Sequence, residues 1–140
     1  MSTRSRSGLR LKVTAFLLAI LLIGCTAISS SEWTGSSPQI TQSELLGHIE
    51  SDTLPVILDV RTPEEYKQSH VPGAINIPVQ DLENRLEELT VPEGDFIAVY
   101  CERGVRADSA EDILYAAGFD SIFHLQGDMS EWRKQGLPTE

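Results

Sequence analysis

The chain has 140 residues, 41% of them hydrophobic, with 11 basic and 21 acidic side chains and a formal net charge of −10. That size suits one domain. The acidic excess excludes a counterion-releasing nucleic-acid binder and an electrostatic grip on anionic lipid; without Arg4, Arg6, Arg10 and Lys12, 7 basic residues stand against 21 acidic ones, a formal −14.

Those four cations open the chain and are followed by an apolar run over residues 13–23. A spanning helix needs about 20 apolar residues, and this run is well short of that. A basic start, a short apolar stretch and a small-residue ending are the anatomy of an export signal, here residues 1–24. Leu22-Ile23-Gly24-Cys25 resembles the bacterial lipobox. The resemblance implies cleavage before Cys25, a diacylglycerol on its sulfur and membrane attachment through an N-terminal lipid. With Thr26 next and not Asp, it implies the periplasmic face of the outer membrane. An uncut apolar anchor, or a cytosolic protein with an apolar start, is the alternative for the same segment. Residues 25–38 are rich in Ser, Gly and Thr and read as a flexible, lipid-anchored tether. The folded domain is expected over residues 39–140, long enough to bury a core.

Within that domain, Thr41-Gln42-Ser43-Glu44 has capping-box spacing and predicts a helix to about residue 50. Val56-Ile57-Leu58-Asp59-Val60 is a short apolar run that predicts a buried strand. Thr62-Pro63-Glu64-Glu65 is a second capping box, with Pro at the first helical position. Val71-Pro72-Gly73 marks a turn, and Ala74-Ile75-Asn76-Ile77 predicts a brief strand stopped by Pro78. Residues 81–89 read as one acidic helix with Leu82, Leu86 and Leu89 on a single side. Residues 96–100 predict the central strand, 107–117 a helix ended by Gly118, 121–125 a last strand, and 129–135 a final helix with Trp132 as a core anchor. Strands alternating with helices imply an α/β fold, a mainly parallel sheet with helices on both faces.

Sites in such sheets form at the carboxyl ends of the strands. Cys101 stands at one such end and opens the loop Cys101-Glu102-Arg103-Gly104-Val105-Arg106, which runs into a helix. A thiol there faces loop amides and the positive end of a helix dipole, a setting for a nucleophile that handles anions. With Cys25 lipidated, Cys101 has no disulfide partner. Gly104 permits the backbone curl that a cradle of amides over residues 102–107 demands. Asp59 and Arg61 sit at a second strand end and are expected to be a structural pair near the site, since buried charges pair and satisfy loop amides. His70 is expected to pack in its turn and not to serve as a base, and His48 and His124 carry no motif. No Cys/His metal spacing and no Gly-rich nucleotide fingerprint exists, so neither metal nor other cofactor is expected.

Leu58-Asp59-Val60-Arg61, then Glu64-Glu65-Tyr66, then His70-Val71-Pro72-Gly73-Ala74-Ile75-Asn76-Ile77-Pro78 resemble the opening half of a single-domain rhodanese. The loop Cys-x-x-Gly-x-Arg is similar to that family's active loop, and Leu125-Gln126-Gly127, Trp132 and Gly136-Leu137-Pro138 complete the pattern. The resemblance implies a rhodanese-like fold and a sulfurtransferase. Cys101 would take a sulfane sulfur from a donor such as thiosulfate and pass it to cyanide, a thiol or a partner protein. Glu102, Arg103, Gly104, Val105, Arg106 and Ala107 would line the substrate. Within that set, Arg106 would fix the loop or hold the donor's anionic end, and Arg103 would draw anions to a mouth that Glu102 opposes.

Three positions depart from the family pattern: Ser69 for Gly, Ala107 for Ser, and Gly127-Asp128 for Gly-Gly. The first and third are expected to alter local turns only. The second removes one hydroxyl near the sulfur. Two other functions compete. A cysteine phosphatase or arsenate reductase uses Cys-x5-Arg, but Ala107 occupies the arginine position and Tyr100, not His, precedes the thiol. A rhodanese module can also act as a non-turnover persulfide carrier or docking domain.

Overall fold

Thr41 and Thr62 start the first two helices as their spacing predicts. In the computed structural model, which describes residues 35–140, each threonine accepts a hydrogen bond from the backbone three residues on, and Glu44 or Glu65 bonds back to the cap. These caps satisfy amide groups that a helix start would otherwise leave unpaired. The expected signal over residues 1–24, Cys25 and the tether as far as residue 34 lie outside the described residues. Among the described residues no helix is long and apolar enough to cross a membrane.

The elements in order are β1 (Gln39–Ile40), α1 (Gln42–Glu50), β2 (Val56–Asp59), α2 (Pro63–Gln68), β3 (Ile75–Asn76), α3 (Val79–Leu82), β4 (Ile97–Tyr100), α4 (Val105–Ala116), β5 (Ile122–Leu125) and α5 (Asp128–Lys134). The strands form one sheet in the order β1-β5-β4-β2-β3, and every pairing is parallel. β4 lies at its centre, with its Val99 opposite Leu58 of β2 on one side and His124 of β5 on the other.

Side chains alternate along each strand, so the sheet buries two cores. On one side Leu58, Val60, Ile97, Val99 and Cys101 pack with Leu82, Ala107, Ala110 and Leu114. On the other side Ile57, Ala98, Tyr100 and Leu125 pack with Leu45, Met129 and Trp132. Trp132 is fully buried and donates its indole N–H to the Pro138 carbonyl at 2.7 Å, the anchor role its sequence context predicts.

Three elements differ from expectation. The acidic helix over residues 81–89 is instead α3 followed by a 3-10 turn, Leu86–Glu88. No side chain caps either piece, and Asn84 and Arg85 donate three residues back, to Asp81 and Leu82. Two short turns still deliver Leu82 and Leu89 to the core, so burial does not require a continuous helix. α4 begins at Val105 and not at residue 107, because Gly104, with φ of 101°, ends the loop and its carbonyl accepts from Asp108 at 2.8 Å. β1 is an edge strand of two residues without an apolar run to announce it. Before it, Pro38 accepts from the His124 amide at 2.9 Å, and the Ser37 amide donates to Glu111 at 3.2 Å.

Candidate functional site

β4 carries its chain out of the sheet at Tyr100 and places Cys101 at the strand's carboxyl end. Cys101 is a free thiol, 2% exposed. One side of it joins the core packed under α4, and the other lines a cavity of about 250 Å³ with Glu102, Arg103, Val105 and Arg106. The Gly104 amide donates to the sulfur at 3.1 Å. That amide is the N-cap of a helix of 12 residues, so the sulfur sits at the positive end of α4.

The cavity's walls divide by chemistry. Arg103 is exposed, and Val105 is 76% exposed beside it. Arg106 turns from the mouth to α2: its Nη1 and Nη2 donate to the two Glu65 oxygens at 2.6 and 2.8 Å. This fork holds the Glu65 carboxyl down at about 2, and Glu65 with Cys101 raises the Arg106 guanidinium above its ordinary range. Glu65 also accepts from the Thr62 amide at 3.0 Å, so one carboxylate caps α2 and clamps the active loop. Glu102 is not an idle surface charge. Its carboxylate bonds Arg133 and lies 3.6 Å from Arg61. Ala107 is fully buried in the core at the first turn of α4.

Asp59 and Arg61 form the expected pair, both buried to within 1%. Arg61 Nη2 donates to Asp59 at 2.6 Å and to the Ser69 carbonyl at 2.7 Å, and the Arg61 amide donates to Asp59 at 2.9 Å. The guanidinium lies 5.7 Å from the Tyr100 ring centroid. His70 stacks on Tyr66 at 3.7 Å between ring centroids, and its Nδ1 bonds the Tyr66 carbonyl at 2.9 Å. It is a packed histidine.

The back of the loop contradicts one expectation. Asp128 does more than alter a local turn: its Oδ1 accepts from the Cys101 amide at 2.8 Å. Its Oδ2 lies 3.1 Å from His124 Nε2, and His124 Nδ1 lies 2.5 Å from Glu111 Oε1. The Met129 amide donates to the Cys101 carbonyl at 3.1 Å and the Ser130 amide to the Glu102 carbonyl at 3.2 Å. Asp128 and then Glu111 raise the His124 imidazole to about 10, so the ring is a cation at neutral pH. Asp128, His124 and Glu111 went unsingled by motif because they come from three separate elements. The signal was an Asp where the family pattern has Gly, at φ of 55°.

Asp108, Glu111 and His124 bring donor atoms within 4.8 Å of one another. Both His124 nitrogens face carboxylates, Nδ1 that of Glu111 and Nε2 that of Asp128.

A model of the rhodanese-like domain matches residues 41–135. The putative sulfur carrier protein YrkF of Bacillus subtilis is 35% identical over 103 residues, covering 74% of this chain and 55% of its own length. Thiosulfate sulfurtransferase PspE of Escherichia coli is 37% identical over 70 residues, covering 50% of this chain and 67% of PspE. The human single-domain sulfurtransferase TSTD1 superposes with a TM-score of 0.61 at 26% identity, covering 71% of this chain and 98% of that one. The chain thus spans only about half of YrkF. A parallel sheet in this strand order, a Cys-x-x-Gly-x-Arg loop at its central strand and a family match from the first helix through the last lead to one statement: this chain belongs to the rhodanese-like domain family.

Proposed function

We propose that the protein is a sulfurtransferase that moves a sulfane sulfur through a persulfide on Cys101. The observation that carries this is the Cys101 sulfur, 3.1 Å from the Gly104 amide at the start of α4, on the wall of a small cavity. The Cys101 thiolate attacks the outer sulfur of a donor such as thiosulfate. A new sulfur–sulfur bond forms as the donor's own breaks, and sulfite leaves with the bonding pair. An acceptor, cyanide or a thiolate, then attacks the outer sulfur of the persulfide, and Cys101 departs as thiolate. The cycle is redox-neutral and needs no cofactor. Its requirement is stabilisation of charge on the added sulfur, which the helix end and the Gly104 amide supply. Arg103 draws the anionic donor, and Val105 forms an apolar lip. The name of the PspE relative supports thiosulfate as donor.

A persulfide carrier that hands sulfur to one partner protein is the second reading, favoured by the name of YrkF. Phosphate transfer is less well supported, because Arg106 arrives one residue early and is tied to Glu65. The lipobox-like leader supports a cell-envelope location for this chemistry, on a lipid at Cys25 with a tether over residues 25–38.

A steady-state assay with thiosulfate and cyanide, and with para-nitrophenyl phosphate as rival substrate, tests the reaction. Turnover of the first pair, abolished in Cys101→Ser, is expected. Phosphate release without sulfur transfer would defeat it, and a persulfide accepted by one protein but not by cyanide would select the carrier. For the anchor, Cys25→Ala should move the protein from membranes to the soluble fraction; unchanged fractionation would refute lipidation.

A further inference from the structure

We infer that Asp128, locked in place by His124 and Glu111, is a positioning residue for the Cys101 sulfur. This rests on the Cys101 role proposed above, but its geometry stands independently. Asp128 Oδ1 takes the Cys101 amide at 2.8 Å, and Oδ2 faces His124 Nε2 at 3.1 Å. Glu111 from α4 holds the other ring nitrogen at 2.5 Å. Asp108, also from α4, lies 3.5 Å from the same nitrogen but is 69% exposed. Glu111 and Asp128 are 2% and 3% exposed.

Each link limits the next. A carboxylate bound to the nucleophile's own amide fixes the backbone from which the sulfur projects. The same carboxylate is free to pivot unless its second oxygen is held, and His124 holds it. His124 is itself seated by Glu111, whose other oxygen accepts from the Ser37 amide at 3.2 Å. The chain of contacts therefore runs from the segment before β1, through α4 and β5, to the thiol. Gly104, which donates to the sulfur, closes against this network: a Cβ there would lie 3.4 Å from Asp128 Oδ2 and 3.7 Å from the His124 ring. The Cys101 backbone is thus held through its amide, its sulfur accepts from the Gly104 N–H, and Asp128 with His124 lies against both residues.

The backbone adds weight. Asp128 sits at φ of 55°, a conformation that glycine adopts freely and that, among other residues, Asn and Asp adopt most. An aspartate kept at a glycine-like position, with its carboxylate buried and shared between an amide and an imidazolium, is serving through its side chain. Aspartate-to-glycine is also the substitution the backbone tolerates best.

The test compares the full protein with Asp128→Gly and Asp128→Asn, reading hydrogen exchange of the Cys101 amide, kcat and KM for thiosulfate. Asp128→Gly should expose the Cys101 amide to exchange at least tenfold faster and lower kcat about tenfold with little change in KM, the rate equivalent of one lost hydrogen bond. Asp128→Asn keeps an oxygen that accepts from that amide, and its NH2 can donate to His124 Nε2 once the ring gives up that proton while Nδ1–H stays on Glu111, so it should restore protection and most of kcat. Wild-type exchange and kcat in Asp128→Gly would overturn the inference. So would equal kcat losses in both variants with the Cys101 amide still protected. If the wild type transfers no sulfur, the proposed function fails, while the exchange comparison still decides the positioning role.

Discussion

The Asp59–Arg61 pair and the Glu111–His124–Asp128 chain both bring acidic and basic side chains under the same loop. The first is local: two residues at the end of β2 fold onto each other, and Arg61 adds the Ser69 carbonyl and the face of Tyr100. It reaches the loop through the Glu102 side chain, 3.6 Å away. The second joins α4, β5 and α5 and ends on the backbone of Cys101 itself. A charge pair that closes on itself maintains a strand end. A charge chain that crosses elements and ends on the Cys101 amide sets where that backbone stands, and with it, in our proposal, the nucleophile. The difference should show as a division between stability and rate.

Arg61→Ala should give the largest loss of stability, about 3–5 kcal/mol, because it leaves the Asp59 carboxylate buried without its partner. Urea unfolding measures it. A loss under about 1 kcal/mol would mean that the pair is not what supports this strand end.

Stability should next depend on pH in two windows. His124 is raised from 6.5 to about 10, so its contribution is complete below pH 6.5 and drains as pH climbs to about 10. Glu65 is lowered from 4.5 to about 2, so its contribution is present above pH 4.5 and is lost as pH falls to about 2. The acid effect is the smaller, since Glu65 and Arg106 are each about 30% exposed and water screens them. Thermal melts across pH should show both slopes, with the alkaline one flattened in His124→Asn and the acid one in Glu65→Gln. Parallel curves for wild type and His124→Asn above pH 6.5 would remove His124 from the account.

What the sequence disclosed follows the same division. The caps at Thr41 and Thr62, the buried run of β4, the Asp59–Arg61 pair and the Cys-x-x-Gly-x-Arg loop are each written within a few consecutive residues. Local chemistry fixes them, and the structure holds them as expected. The long acidic helix failed because leucine spacing records only which side chains face the core, and two short turns bury Leu82 and Leu89 and pack Leu86 against them equally well. β1 was invisible because two residues on a sheet edge carry no pattern; their pairing with His124 and Leu125 defines them. Asp128 was visible as a departure, but its meaning depended on His124 and Glu111, which no spacing connects. Glu65 was assigned to a helix cap, and its second task, clamping Arg106, lies 41 residues away in sequence.

The most direct test of the central claim is the intact mass of the domain after treatment with thiosulfate and removal of excess donor. One added sulfur, localised to Cys101, lost on adding cyanide and never seen in Cys101→Ser, is the predicted result. An unmodified Cys101 in folded protein at saturating thiosulfate would contradict it.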